Sequence, residues 1–597
     1  MSRPTVGGPA ISKTWLRALE RTAQIRGTPT RTLPLVVDEL AEAHGEATAL
    51  FDGAESLSFR GLAIRSNQYA RWALEQGIEK GDVVCLLMPN CPEYMAIWLG
   101  ITKVGGVAAL LNTNLIGASL AHCIRLVSPK RIVVGADLAE PLTTALAESL
   151  PTDTIWVYDA GTTRLPRIDR SLESLSGDPL AQTERRPLTI EDRALHIYTS
   201  GTTGYPKAAN VSHFRLMQWT HWFAGMMDVV PGDRMYNCLP MYHSVGGVLA
   251  TGAVLVGGGA VFIRERFSAQ RFWQEVVQSN CTLMQYIGEL CRYLLGAKPS
   301  PYDTQHRLRL CCGNGLRGDI WREFKERFQI PQILEFYAST EGAVSLFNVE
   351  GKPGAIGRTP SYIAHRSPVE LVRFDFVAEV PLRDQTGRCL RCDAGEVGEA
   401  IGKIDLRRAT NGNRFEGYTD SAASEQKVLR NVFEGGDAWF RTGDLMRKDG
   451  DGYYYFVDRV GDTFRWKGEN VSTSEVAHAI LELKEVKDAV VYGVAIPKTD
   501  GRAGMATLTV SPGFDPAALK RHLAERLPTF AHPLFLRIAS EVKVTTTFKH
   551  QKHDLVRLGV DPSGSDEVIY FNHPDRNEYV QLDSALYGAI QNGQLKL

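Results

Sequence analysis

The sequence predicts an α/β protein: a large N-terminal body built on largely parallel sheets, followed by a small α+β domain. Three observations carry this. Short apolar runs such as Asp82 to Met88 and Arg131 to Val134 alternate with longer helical patterns such as Ser58 to Gln76, as strands covered by helices do. A chain of 597 residues is too long for one hydrophobic core and divides into domains. A Gly, Asp and Thr-rich region from Gly443 to Gly461 holds two turn signals, Asp449-Gly450 and Asp451-Gly452, before the strand-like Tyr453 to Val457. The boundary is expected just after it, with residues 1–460 in the large domain and 461–597 in the small one.

Along the large domain, Lys13, Arg17 and Arg21 recur every four residues with Trp15, Leu16 and Leu19 among them. That spacing gives a short basic helix which either rests on an anionic bilayer or packs on the large domain. Tyr94 to Leu111 is the most apolar long stretch, but Lys103 and Gly105-Gly106 interrupt it, so a buried core helix is expected rather than a membrane span. Met1 to Ala10 lacks the pattern of a secretory signal, and a reducing cytoplasmic setting is expected. A formal net charge of −1 gives no global pull toward nucleic acid. Of the ten cysteines, Cys389 and Cys392 form a lone CxxC. No second pair completes a four-ligand zinc site, so buried or incidental thiols are expected. Beyond the boundary the pattern reads helix (Ser474 to Leu483), strand (Asp488 to Ile496), strand (Met505 to Val510) and helix (Pro516 to Arg526). Asp561 to Leu597 is expected as a tail packed on that domain.

The segment with the most chemical content is Tyr198 to Lys207. Thr199, Ser200, Gly201, Thr202, Thr203 and Gly204 expose hydroxyls and backbone N–H groups, and Lys207 adds positive charge, which together make a phosphate cradle. The spacing is GxxGxxK and Ala208 follows the lysine, so it is not a Walker A loop. Gly313 to Gly318 reads GxGxxG after the strand-like Leu308 to Cys312, with Glu335 about twenty residues on, which taken alone would mark a dinucleotide site.

The Tyr198 to Lys207 stretch closely resembles the phosphate loop of the adenylate-forming superfamily, which includes acyl-CoA synthetases and luciferases. Phe336 to Gly342, Arg441 to Asp444, Asp458-Arg459 and Thr547 to Lys549 resemble its further motifs and stand in family order. The resemblance implies that Tyr337 stacks on adenine, Thr340 meets the α-phosphate, Glu341 holds Mg²⁺, and Asp444, with Arg459 nearby, takes the ribose hydroxyls. It makes Gly313, Asn314 and Gly315 the loop lining the adenine pocket, and it puts His243, in Leu239 to Ser244, beside the substrate carboxylate. Where some long-chain members carry a gating tryptophan, this chain reads Val245-Gly246-Gly247.

Phe464 to Ser472, with Thr546 to His550, looks like the branch of very-long-chain acyl-CoA synthetases and fatty acid transport proteins. Animal members of that branch often begin with a membrane span, a pattern that Met1 to Ala10 lacks. The resemblance therefore implies a fatty acid–CoA ligase using ATP, Mg²⁺ and coenzyme A, cytoplasmic with at most peripheral membrane contact. Lys549 would bridge the carboxylate and the α-phosphate. The small domain would then rotate about Gly461, bringing the loop around Gly468 to the pantetheine channel. A fatty acyl-AMP ligase serving a carrier protein, a fatty acid binding or transport protein, and a dinucleotide oxidoreductase remain as alternatives.

Overall fold

A computed structural model describes residues 11–597 apart from 147–153, 160, 162, 200–205, 367, 377, 406–413, 468, 498, 500, 543–551, 565, 566 and 596. The chain forms two compact units, residues 1–368 with 403–428 and residues 369–402 with 429–597.

The first unit contains two sheets. In the six-stranded sheet the order is Ile155–Tyr158, Arg131–Gly135, Val83–Leu87, Val107–Leu110, Arg193–Thr199 and Lys207–Ser212, parallel except for the last pair. The eight-stranded sheet runs Ser345–Asn348, Ile333–Ala338, Leu310–Asn314, Leu283–Ile287, Arg234–Asn237, Ala260–Ile263, Thr48–Phe51 and Ser56–Ser58. Its interior pairs are parallel and its two edge pairs antiparallel.

The helix expected over Ser58 to Gln76 runs Phe59–Glu75, and the Ser58 side chain caps it by accepting from the Gly61 N–H. Tyr94 to Leu111 is not one helix. A fully buried helix, Pro92–Lys103, breaks at Gly105, whose φ is +88°, and the chain returns as the strand Val107–Leu110. Lys103 is tolerated inside because its Nζ donates to Asp38 at 2.7 Å and to Asn67 at 2.5 Å. Among the described residues no helix is long and apolar enough to cross a membrane.

The basic N-terminal helix, Ile11–Ala23, lies on the helix His213–Met226 with Trp15 and Ala18 buried. Arg17 Nε donates to the Gly225 carbonyl and Arg21 Nη2 to the Val229 carbonyl. Two of its three cations therefore bond the protein itself, as the packed alternative requires.

The second unit holds a sheet in which Ala438–Lys448 pairs antiparallel with Tyr454–Arg459, and a separate five-stranded sheet. The latter runs Val486–Val494, Ala503–Val510, Phe535–Ile538, Val568–His573 and Glu578–Gln581. Asp561 to Leu597 is therefore no appended tail. It supplies two strands of the sheet, and Ile569, Phe571 and Ile590 join its core. The helices Thr473–Leu481 and Pro516–Ala524 are capped by the side chains of Ser472 and Asp515.

All ten cysteines are free, and all ten thiols are pushed to higher pKa, with burial as the first cause and Cys392 reaching about 12. Such thiols stay protonated and inert at neutral pH.

Candidate active site

The parallel strands of the eight-stranded sheet deliver several of the candidate groups to one edge, the carboxyl ends where open α/β sheets bind ligands. Leu310–Asn314 ends on Gly313 and Asn314, and Gly315 follows with a φ of +82°. Its neighbour Ile333–Ala338 carries Tyr337 and runs on into Thr340 and Glu341. Asn314, Tyr337, Thr340 and Glu341 are all half-buried, within reach of both protein and ligand. Asn314 Oδ1 is buried with no hydrogen-bond partner, an acceptor open to a donor such as an adenine amino group.

From Arg234–Asn237 the chain continues to His243. Asn90 grips the intervening segment, donating to the Leu239 carbonyl at 2.9 Å and accepting from the Met241 N–H at 2.8 Å. Ser244 Oγ then lies 3.5 Å from Thr340 Oγ1, so the histidine segment sits beside the Thr340 turn. Residues Ser244–Gly252 form a π-helix, a geometry frequent at functional sites. A Cβ on Gly246 would stand 2.3 Å from the Pro240 carbonyl oxygen, and one on Gly247 2.2 Å from that of Met241. At these two positions the backbone itself occupies the space that a gating side chain would need.

Three residues that the sequence reading passed over hold the site together. Arg215, 5% exposed, donates to the Thr340 carbonyl at 3.0 Å and to that of Arg414, and lies 3.7 Å from the Glu416 carboxylate. Burial pulls its pKa down, while the charges of Glu416 and Glu341 oppose this. Glu416 in turn accepts from the Ser212 N–H at 2.7 Å and hydroxyl at 2.6 Å. Tyr418 donates its hydroxyl to Glu341, and Lys207 Nζ sits 5.6 Å from the centre of its ring. Burial, then the Glu341 charge, pushes the Tyr418 pKa up, so it remains a neutral donor. An arginine set among Phe214, Leu216 and Met217 was a signal present in the sequence, since a cation in an apolar helix needs partners.

Thr199 pairs directly with Lys207 across the antiparallel strands Arg193–Thr199 and Lys207–Ser212. The two ends of the expected phosphate loop thus lie side by side, next to Tyr418. Ser200, Gly201, Thr202, Thr203 and Gly204 lie outside the described residues, as do Gly468 and Lys549.

In the second unit, Asp444 pairs with Arg459 across the sheet, with Nε 3.5 Å from Oδ1. The preceding residues of its motif anchor it: Arg441 forks onto the buried Glu399, and Thr442 Oγ1 donates to the Ala400 carbonyl at 2.7 Å and accepts from the Asp444 N–H at 3.0 Å. Gly461 follows with a φ of +86°, and a Cβ there would meet nothing within 4 Å. Asp458, 1% exposed, accepts from the Thr473 N–H at 2.6 Å, and Lys552 Nζ bonds Thr473 Oγ1 at 2.8 Å and Asp462 at 3.1 Å.

An α/β body whose strand ends gather a half-buried tyrosine, threonine and carboxylate beside a Thr/Lys-flanked loop defines a nucleotide-using enzyme of the adenylate-forming class. The chain belongs to the AMP-binding enzyme family: residues 37–400 match its main domain and residues 475–549 its C-terminal domain. It is 38% identical over 576 residues to the mouse (Mus musculus) long-chain fatty acid transport protein 1, covering 95% of this chain and 88% of that one. To the medium/long-chain-fatty-acid–CoA ligase FadD6 of Mycobacterium tuberculosis it is 36% identical over 545 residues, 90% of this chain and 88% of that one. Among solved structures, ATP-bound MatB from Rhodopseudomonas palustris shares the fold with a TM-score of 0.73 and 21% identity, covering 88% of this chain and 99% of that one. A Mycobacterium tuberculosis fatty acyl CoA synthetase matches with a TM-score of 0.61 and 21% identity, covering 88% and 98%.

Proposed function

We propose that the chain is an ATP-dependent fatty acid–CoA ligase that forms a long- or very-long-chain acyl-AMP and then the acyl-CoA. One observation carries the reading: Asn314, Tyr337, Thr340 and Glu341 stand together at the carboxyl ends of neighbouring parallel strands, in a chain of the AMP-binding enzyme family.

In the first step a fatty carboxylate oxygen attacks the α-phosphorus of ATP and pyrophosphate leaves. Two anions must meet, so donors and cations dominate the catalysis. Tyr337 offers a ring face to adenine and Asn314 Oδ1 an acceptor to its amino group. Thr340 donates to the α-phosphate, and the Thr199 to Lys207 loop holds the β and γ phosphates. His243 and Lys549 serve the carboxylate. Mg²⁺ suits this donor set, since it keeps most of its waters and takes one or two carboxylates plus substrate phosphates. Glu341 would hold it while Tyr418 steadies the carboxylate, and the metal would neutralise the departing pyrophosphate.

In the second step the coenzyme A thiol attacks the acyl-adenylate carbonyl and AMP leaves. The small domain rearranges about Gly461 for this step, with Asp444 and Arg459 at the ribose and Gly468 in the thiol channel. The proposed location is cytoplasmic, with any membrane contact peripheral.

Exchange of labelled pyrophosphate into ATP, dependent on both fatty acid and Mg²⁺, tests the first step. No exchange with any acyl chain refutes the enzyme. Product release that needs coenzyme A separates this reading from a ligase that loads a carrier protein.

A further inference from the structure

The GxGxxG run of Gly313 to Gly318 and the acid beyond it look like a dinucleotide fingerprint, yet the structure puts them to a different use. Glu335 lies in the strand Ile333–Ala338, next to Leu310–Asn314 and directly opposite Gly313 in register. Only 1% exposed, its side chain turns toward the end of the neighbouring strand rather than toward solvent. One carboxyl oxygen accepts from the backbone N–H of Gly315 and, at 3.1 Å, from that of Leu316. The other is bonded to the hydroxyl of Tyr286, itself fully buried, on Leu283–Ile287.

The loop has little freedom elsewhere. A Cβ on Gly313 would stand 2.3 Å from the Tyr286 carbonyl oxygen, and one on Gly288 would stand 1.7 Å from that of Gly315. Three strands thus clamp one turn through two close backbone approaches and a single buried acid. At the apex of that turn is Asn314, its Oδ1 unpartnered, and two residues after Glu335 on its own strand is Tyr337.

We infer that Glu335 is the positioning residue for base recognition: it locks the Gly313–Leu316 turn so that Asn314 presents an acceptor to the exocyclic amine of adenine beside the Tyr337 ring. It touches no substrate and acts through the turn. This inference rests on the nucleotide site proposed above and adds what sets its selectivity for a 6-amino over a 6-oxo purine. Burial favours the protonated acid, with a pKa of about 8, and in that form one oxygen still accepts from the two N–H groups while the other carries the proton to Tyr286. Glutamine offers the same acceptor and donor, whereas methionine of similar length offers neither.

The test uses the full chain and compares wild type, Glu335→Gln and Glu335→Met in fatty-acid-dependent pyrophosphate exchange with ATP and with ITP. Glu335→Met is expected to raise the KM for ATP about tenfold, the equivalent of roughly 1.4 kcal/mol, and to shrink the ATP-to-ITP preference. The KM for fatty acid should stay within twofold, and Glu335→Gln should restore both nucleotide values. If Glu335→Met does not fold, Tyr286→Phe, which keeps the ring but frees Glu335 to turn, is expected to raise the ATP KM at least threefold at unchanged fatty acid KM. Inactive wild type would refute the ligase reading. Active wild type with an unchanged ATP-to-ITP ratio in Glu335→Met, or in Tyr286→Phe if that variant has to serve, would refute the role of Glu335 alone, as would equal losses for nucleotide and fatty acid.

Discussion

Replacing Arg215 by methionine should weaken both the fold and the first half-reaction. The guanidinium is buried and serves three partners: the carbonyls of Thr340 and Arg414 and the carboxylate of Glu416. Removing one member of a buried ion pair costs about 3–5 kcal/mol. Glu416 keeps its two bonds from Ser212, so the lower end, about 3 kcal/mol, is expected. Activity should fall further than stability because the Thr340 carbonyl loses its donor and Gly342 loses its packing surface. A Cβ at Gly342 would stand 2.1 Å from Arg215 Nη1, which shows how closely the two are seated. A shift of about 1 Å in positioning groups lowers rates on the order of a hundredfold, and that is the expected drop in pyrophosphate exchange per folded molecule. Arg215→Lys keeps the charge but cannot span both carbonyls, so it should recover stability more than activity. Thermal unfolding and exchange measured on the same preparations decide the matter. A lowered Tm with wild-type exchange would show that the network only stabilises the fold, and an unchanged Tm would refute the burial argument itself.

Lys549→Ala is expected to cut adenylation by orders of magnitude while sparing thioester formation from supplied acyl-AMP; equal loss in both assays would contradict domain alternation. At Gly461, with φ at +86° and open space around it, alanine should cost only about 1–2 kcal/mol of left-handed strain. Proline, fixed near −65°, excludes the observed arrangement and should slow one half-reaction selectively in single-turnover measurements. Comparable slowing of both would place the hinge elsewhere. Glu335, whose pKa rises from 4.5 to about 8 in the fold, contributes stability that is full below 4.5 and lost as pH climbs through 8. Tyr286, Cys291 and Cys312 around it are buried and neutral across that window. The Tm of wild type should therefore fall relative to Glu335→Gln between pH 5 and 8 by differential scanning calorimetry, and parallel profiles would contradict it.

Much of this architecture was legible residue by residue, because local chemistry carried it. Val83–Leu87 and Arg131–Gly135 announce themselves as short apolar runs, and Phe59–Glu75 by its longer helical pattern. The Thr199 to Lys207 segment, the Tyr337 to Glu341 turn and Asp444 stood out as candidates because their residue types and their order along the chain resemble the motifs of adenylate-forming enzymes. Boundaries were less legible where apolar character is continuous: nothing in the hydropathy of Tyr94 to Leu111 distinguishes the end of a buried helix from the start of a buried strand. The role of Asp561 to Leu597 was hidden for another reason, since pairing with Phe535–Ile538 is decided by an edge that exists only once the sheet has formed.

The sequence by itself determined which groups could bind nucleotide and in what order they occur, because side-chain chemistry and short-range spacing are properties of the chain. Only the tertiary structure decided what holds those groups. Arg215 reaches Thr340 across 125 residues of sequence and Tyr418 reaches Glu341 across 77. Glu335, which reads as half of a dinucleotide motif, becomes the buried clamp of a turn from the neighbouring strand. Contacts at such separations arise from strand order and burial, and a buried acid or cation takes whichever donors and acceptors the packed core leaves within reach.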